Sequence, residues 1–594
     1  MAWTRLVTRA WGVGVLFGGA SALGQGVTYT DVAFEAGLRT AHQPSANFLL
    51  SGLNLANFTA GGAVADFNND GWMDIYVISG GGVRDQLYIN NGNGTFTDRA
   101  SEWGITALHM GLGAAIGDYN NDGWVDLYVT SIGPANATPI VGAHRLYRNN
   151  GNSTFTSVGS SARVNRTSTV LPDGLGACFG DYDLDGDLDL CVVGWITGSG
   201  GNRLFRNNGN GLFSDVTVAS GFHDLAVRGY SPRIVDMNGD RLPEILVAGD
   251  FGTSRYFANL GSGAFANRTV ESGTGLDANG MGSAIGDFNG DGRLDWYVTS
   301  IYTLHPISGV PGTGNKLYLG VGAHQFVESA TPAGVNQGGW GWGTQGVDID
   351  HDGNEDIVAT NGWGQANGAG DPEWLFDPTC AFRSLGDGTF VSCGDATGLA
   401  SHTGQGRGLA ILDYDNDGDE DVLILTFQGV PRLFRSNLVT GGVTPSDAHW
   451  VRVLLDTSRS RGRVAPQGYG AKVEVTTGGK SARTQYRAIS PGSTFLCSSE
   501  ASAHFGLGTA TRAAITVRWP DGRVTTLADR AADATMTVRY CVSDFNGNGS
   551  ADSGDFFEFL VAFFSSDLAA DVDRSGGVTS ADFFDFLVLF FEGC

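Results

Sequence analysis

The chain has 594 residues, with 91 glycines, 36 lysines and arginines, 62 aspartates and glutamates, and a formal charge of -26. That length exceeds one compact core and calls for several domains. The 42% apolar content excludes wholesale disorder, glycine without a triplet period excludes collagen, and the acidic balance excludes nucleic acid as a natural partner and suits the collection of divalent cations.

In chain order, "MAWTRLVTRAWGVGVLFGGASALGQG" comes first. Arg5 and Arg9 form a basic start, residues 10–20 are an apolar run, and Ala22 and Gly24 are small residues suited to cleavage. Residues 1–24 therefore read as a signal peptide, too short for a stable membrane span. No other run is long and apolar enough to cross a bilayer, so a secreted chain with no span after cleavage is expected. Seven cysteines suit an oxidising compartment. Cys178 and Cys191 flank one acidic loop, Cys380 and Cys393 flank "SLGDGTF", and Cys541 and Cys594 bracket the last module. These three pairs are candidate disulfides, with Cys497 left single; connectivity does not follow from sequence alone.

A nonapeptide then recurs seven times at spacings of 51 to 65 residues, the mark of a repeat architecture. Position 1, 3 and 5 side chains, the position 7 carbonyl and a position 9 carboxylate converge on one point, the donor set of a calcium loop. In "DFNNDGWMD" these are Asp66, Asn68, Asp70, Trp72 and Asp74. In "DYNNDGWVD" they are Asp118, Asn120, Asp122, Trp124 and Asp126. "DYDLDGDLD" gives Asp181, Asp183, Asp185, Asp187 and Asp189. "DMNGDRLPE" gives Asp236, Asn238, Asp240 and Glu244, with Arg241 where the others have glycine, so this site is expected to be weak or empty. "DFNGDGRLD" gives Asp287, Asn289, Asp291, Arg293 and Asp295. "DIDHDGNED" gives Asp348, Asp350, Asp352, Asn354 and Asp356. "DYDNDGDED" gives Asp413, Asp415, Asp417, Asp419 and Asp421. Ordinary polar turns use Asp, Asn and Gly too, but have no need of the position 9 carboxylate. Magnesium is the runner-up ion, disfavoured by its strict octahedral geometry. Trp72 and Trp124 either offer aromatic surface to a partner or cover their own hairpins.

Small residues precede each loop and β-formers such as "IYVIS" and "WYVTS" follow it. Hairpins such as "LYINNGNGTFTD" complete about four strands per repeat, one propeller blade. The seventh repeat stops at "RLFRSNL" without its last strand, and "YTDVAFEAGL" near the N-terminus supplies one. The N-terminal strand is therefore expected to close the ring and remove both sheet edges. This region, 25–440, resembles the FG-GAP/VCBS repeats of integrin-α-like β-propellers, and the resemblance implies a seven-bladed ring.

From 447 to 540 the acidic loops stop. "GYGAKVEVTTGG", "HFGLG" and "VRWPDGRVTTL" resemble the ASPIC/UnbV domain, which implies a small β domain on the ring but no defined chemistry. Residues 541–594 hold two twelve-residue loops that do run into helices. The first offers Asp544, Asn546, Asn548, Asp552 and Asp555, the second Asp571, Asp573, Ser575, Thr579 and Asp582, with Ser575 and Thr579 the weaker ligands. Aspartate at position 12, the duplication and the terminal "GC" resemble a dockerin-like module of bacterial surface proteins. Its phenylalanine-rich helices cannot bury every face on each other, which suggests a docking surface.

The overall expectation is a mainly β chain: a seven-bladed propeller, a small β domain and a short α-helical calcium module. Its function is expected to be calcium-dependent extracellular recognition or adhesion of a protein or glycan. The tail would tether it to a cell surface or scaffold, and no catalytic residue is assigned. The rival is an extracellular polysaccharide lyase or glycoside hydrolase, or its glycan-binding subunit. That rival needs free paired carboxylates, whereas the conspicuous ones sit in metal loops. His109, His223, His305 and His402 lie between loops and are its remaining candidates.

Overall fold

The computed structural model describes residues 26–45, 55–132, 143–165, 173–198, 200–303, 312–364, 374–479, 482–573 and 575–594. The signal-peptide segment and His305 lie outside them. Each acidic nonapeptide turns an antiparallel hairpin, as between Gly62–Ala65 and Asp74–Val77 or between Gly406–Leu412 and Asp421–Thr426. Two further strands complete each four-stranded sheet, and seven such sheets form the blades of a β-propeller. The inner strands meet side by side around a circle, blade 7 touching blade 1. The expected closure is present. Tyr29–Asp31 is the outermost strand of blade 7, antiparallel to Arg432–Ser436, with Tyr29 opposite Ser436 and Asp31 opposite Phe434.

Residues 449–539 fold into two facing sheets. One has the order Ser502–Gly508, His449–Asp456, Ala534–Arg539; the other Thr484–Ala488, Lys472–Thr477, Arg512–Arg518, Val524–Ala531. Alternating residues such as Val451, Val453, Val473, Val475, Ile515 and Val517 fill the space between them, as two half-buried sheets require. The domain sits on the acidic-loop face of the ring. There Gly506 N–H donates to Asp348 at 2.9 Å, and Trp450 packs on Gly418 so closely that a Cβ there would lie 1.8 Å from the indole.

The domain does more than pack on the ring. Its segment 490–499 enters the ring axis. Phe495 and Leu496 are fully buried there among Leu112, Leu175, Tyr230, Met281 and Trp342. The Leu496 carbonyl accepts from Gly62 and Ala114, Ser493 donates to Pro232, Ser283 donates to Thr494, and the Thr494 hydroxyl donates to Leu409. Blades 1, 2, 4, 5 and 7 are thus tied to one tongue. Cys497–Ser498 even adds a parallel strand to blade 1 beside Gly62–Ala63. The small residues preceding the inner strands follow from this: a Cβ on Gly61 would lie 2.1 Å from the Leu112 carbonyl and 2.4 Å from that of Leu496.

The tail forms two antiparallel helices, Ser553–Ser565 and Ser580–Glu592, with Phe559 stacked on Phe586 at 3.8 Å. Leu589 packs into the β-domain core, and Cys541 is bonded to Cys594. The other two disulfide expectations are corrected. Cys178, Cys191, Cys380 and Cys393 are free thiols. Cys178 and Cys191 do face each other across paired strands, but both are buried in a blade, where the sheet ladder already holds the strands without a bridge. Unpaired Cys497 lies buried in the tongue.

Phe495→Ala is expected to cost ~3–5 kcal/mol, the usual range for emptying a fully buried aromatic site. Ring and β domain should melt in one transition on calorimetry; two separated transitions would contradict their interlock.

Candidate metal centres in the blade loops

The seven hairpin loops share one backbone design. In blade 1 both oxygens of Asp66 accept loop N–H groups, from Asp70 at 3.0 Å and Gly71 at 2.7 Å. Asp70 accepts from Trp72 at 3.0 Å. Position 4 adopts a left-handed conformation in every described loop, as at Asn69 (φ 54°), Asn121 (φ 58°) and Asn416 (φ 53°). Asn and Gly tolerate that conformation best. Position 9 reaches furthest. Asp74 accepts from Phe67 at 3.0 Å and from Asn90, on the third strand, at 2.8 Å. Asp126, Asp189, Asp295, Asp356 and Asp421 repeat this two-way bond.

All seven position 9 carboxylates, Glu244 included, are 0% exposed. Burial is the first cause of their titration, raising Asp74 to about 8 and Glu244 to about 9. At position 1, burial raises Asp118 to about 6, Asp413 to about 7 and Asp181 to about 8; for Asp181 the Asp185 charge adds to the rise. In loops 3, 6 and 7 three carboxylates offer oxygens within 4.8 Å of one another: Asp181, Asp183 and Asp189; Asp348, Asp350 and Asp356; Asp413, Asp415 and Asp421. Among the described residues, buried oxygens there lack any donor, namely those of Asp183, Asp348, Asp350, Asp415 and Asp419, with Asn120 in loop 2 and Glu244 in loop 4. Buried acceptors without donors, all hard oxygen, fit a hard cation.

Loop 4 keeps the loop geometry without its glycine. Arg241 takes the left-handed conformation of the missing glycine (φ 76°), and its N–H still donates to Asp236 at 2.9 Å. Its guanidinium lies beside Gly522 of the β domain rather than among the loop carboxylates. The unforeseen neighbour is His324, from blade 5, which contacts Asn238 at 3.0 Å and Tyr256 at 2.9 Å and lies 3.8 Å from Glu244. Loop 5 sets Asp287, Asn289 and Asp291 as in loop 1, with the Arg293 N–H donating to Asp291. In loop 6, Arg383 pairs with Asp350 and Asp352, and the Asn354 N–H donates to Asp352. In loop 7, Asp417 accepts from the Asp419 N–H, and Arg452 of the β domain lies 3.7 Å from Asp413 while bonding Glu500. Asp187 in loop 3 accepts from Asn121 of loop 2 at 2.6 Å.

In the tail, Asp544 and Asp571 accept loop N–H groups as Asp66 does. Asp555 and Asp582 tie their loops to the helices. Asp571, Asp573 and Asp582 cluster within 4.8 Å despite the weak ligands Ser575 and Thr579. Two tail candidates have another task. Asp552 and Thr579 are helix N-caps, accepting from Gly554 and Ala581, because a helix start needs an acceptor at that position.

Trp72 and Trp124 lie against the hairpin glycines Gly92 and Gly151, the covering role. His109 and His402 are buried and hydrogen-bonded, while His223 is exposed. A set of asparagines went unread in the sequence. Asn90, Asn149, Asn207 and Asn259 donate to carbonyls of the preceding blade, at Tyr414, Phe67, Tyr119 and Tyr182. Their signal was the recurring Asn that ends the third strand.

Because these carboxylates hold protons more tightly folded than unfolded, their stabilisation is full below about pH 4. It is lost as pH rises through their folded values. A cation binds the deprotonated form and reverses that loss. The chelated chain should therefore melt lower at about pH 8 than at about pH 5, and the gain in Tm on adding calcium should be larger at the higher pH. A Tm indifferent to chelation at about pH 8 would contradict this. Asn149→Ala should cost ~1–3 kcal/mol in denaturant melts, since it strands the Phe67 and Val125 carbonyls.

A family model for the FG-GAP-like repeat matches residues 52–129, 181–247 and 236–298, and one for ASPIC and UnbV matches 462–543. Cartilage acidic protein 1 of Mus musculus is 24% identical over 520 residues, 82% of this chain and 74% of its own. The Homo sapiens protein is 24% identical over 496 residues, 79% and 70%. Among solved structures, the Niastella koreensis GH74 enzyme aligns at TM-score 0.37 and 14% identity over 81% of this chain and 68% of its own. The Bacillus licheniformis rhamnogalacturonan lyase PL11 aligns at 0.37 and 15% over 70% and 76%. The chain carries FG-GAP-like repeats followed by an ASPIC and UnbV domain.

Proposed function

We propose that this is a secreted, calcium-binding recognition or adhesion protein, tethered to a surface or scaffold by its tail, and not an enzyme. The observation that carries the reading is the repetition of one oxygen-lined loop around the ring, each with a buried position 9 carboxylate. A catalytic centre would single out one site; here the same chemistry recurs at every blade and serves the ring. Calcium suits the all-oxygen donor set and the irregular loop geometry better than magnesium. The Cys541–Cys594 bond supports an oxidising compartment. Among the described residues, no helix is long and apolar enough to cross a membrane.

The dockerin-like reading of 541–594 is supported by the two matching loop–helix units. Each helix leaves one stripe more than half exposed: Phe557, Val561 and Phe564 on one, Phe584, Val588 and Phe591 on the other. Apolar stripes of that kind suit a docking partner.

The test is binding of the full chain to arrays of extracellular glycans and surface proteins, with calcium and with chelator, and with product release assayed in parallel. Ligand capture that is lost on chelation and unaccompanied by turnover is expected. Release of any glycan product would overturn the non-enzyme reading.

A further inference from the structure

The β domain covers the acidic-loop face, and among the described residues the opposite mouth of the ring carries a group of partly exposed aromatic rings. At the ring axis Phe495 of the tongue packs on Tyr230 and Trp342 at 5.4 and 4.9 Å. Phe58 packs on the same two rings at 5.7 and 6.2 Å, and closes the axis. Around Phe58, which is itself half-buried, stand Trp195 of blade 3 at 5.5 Å and Trp363 of blade 6 at 6.3 Å, both half-buried. Phe251 of blade 4 lies 6.3 Å from Trp195 and is 47% exposed.

Phe251 is in the wrong place for folding. It has φ 54° and is followed by Gly252 at φ 69°, a tight hairpin turn. Such turns select Asn, Asp or Gly at this position, and an aromatic residue there is strained. Its ring adds little to the core. A residue that serves neither turn nor core is explained by what it presents.

Polar groups frame these rings. The Arg228 guanidinium sits 4.6 Å from the Trp195 ring and 5.3 Å from Phe251, and donates to the Trp195 carbonyl. Asp250 accepts from the Trp195 indole N–H at 3.0 Å and from the Tyr230 hydroxyl at 3.3 Å. Trp340 stacks on Trp363 at 4.7 Å and is 8% exposed, and its indole N–H has no acceptor among the described residues.

This combination narrows the ligand. Arg228 already faces two rings, and fully buried Arg407 sits over Trp342 at 4.3 Å, bonded to the carbonyls of Asn57, Gly362 and Gly406. A cationic ligand would meet the Arg228 guanidinium, with the charge of buried Arg407 beneath the rings. A polyanion would approach a chain of charge -26. Flat ring surface, edged by donors and one carboxylate, matches a pyranose, which has an apolar C–H face and a rim of hydroxyls. We propose that this mouth binds a neutral hexopyranose unit of an extracellular glycan, stacked on Phe251 beside Trp195, with hydroxyls accepting from Arg228. The proposal rests on the recognition reading above and gives it a place and a ligand class.

The test uses the calcium-loaded full chain against immobilised neutral oligosaccharides (gluco-, manno- and galacto-configured) and uronate-containing ones, followed by calorimetry on the best binder. Phe251→Asn puts the turn-preferred residue in place, so Tm should hold or rise while binding falls at least tenfold. Arg228→Gln should weaken binding several-fold, and Val270→Ser, an exposed residue on the outer rim, should leave it unchanged. If wild-type capture of an array member survives Phe251→Asn, this site is wrong and the recognition reading stands. Capture of uronate glycans alone, or of a protein alone, overturns the neutral-sugar assignment. Capture of nothing overturns both.

Discussion

Seven carboxyl groups buried to 0% exposure govern this structure. Each sits at position 9 of a blade loop, and six of them join the loop to the third strand by accepting two backbone N–H groups. In the seventh, one Glu244 oxygen accepts from Met237 and the other has no donor. Burying an ionised carboxylate is costly unless its charge is met. Seven of them in one ring make a common demand, which protons meet at low pH and which a hard cation would meet at neutral pH. The neighbouring oxygens without donors are arranged for the second solution. The repeated loop is in this sense part of the blade's core and not an attachment to it.

The other organising element is the tongue. A propeller needs its axis filled, and this one takes its filling from the β domain. Residues 490–499 tie four blades through backbone bonds and a fifth through the Thr494 hydroxyl, and the same domain places Gly506 and Arg452 beside loops 6 and 7. The candidate cation loops 6 and 7 and the docking of the β domain therefore share one interface. The two faces of the ring differ, with buried carboxylates on one and aromatic rings such as Phe58, Trp195 and Phe251 on the other.

Much of this was legible in the sequence because it repeats. Seven nonapeptides, their following β-formers and the strand missing from the last repeat led to the ring and its N-terminal closure. What repeats less clearly was harder to read. The interblade asparagines were visible as a recurring letter, but their partners are carbonyls some 80 residues away, or 324 for Asn90, and pairing of that range has no local pattern. The tongue, "SPGSTFLCSS", looks like an ordinary loop, because nothing in its composition says that it will be buried. Arg241 stands where the other loops have glycine, and nothing local in the sequence says that a left-handed residue there turns its side chain out to Gly522. Asp552 and Thr579 carry calcium-loop spacing, but helix capping asks for the same residue types. Facing cysteines on paired strands looked like a disulfide, and facing is necessary for a bridge without being sufficient.

We propose that cations replace protons on the buried loop carboxylates. The most direct measurement is calcium titration calorimetry of the metal-stripped chain near neutral pH, in buffers of different ionisation enthalpy. Several calcium ions should bind per chain with net release of protons, and the release should grow as pH is lowered toward about 6. Binding without proton release, or no calcium binding at all, would contradict it.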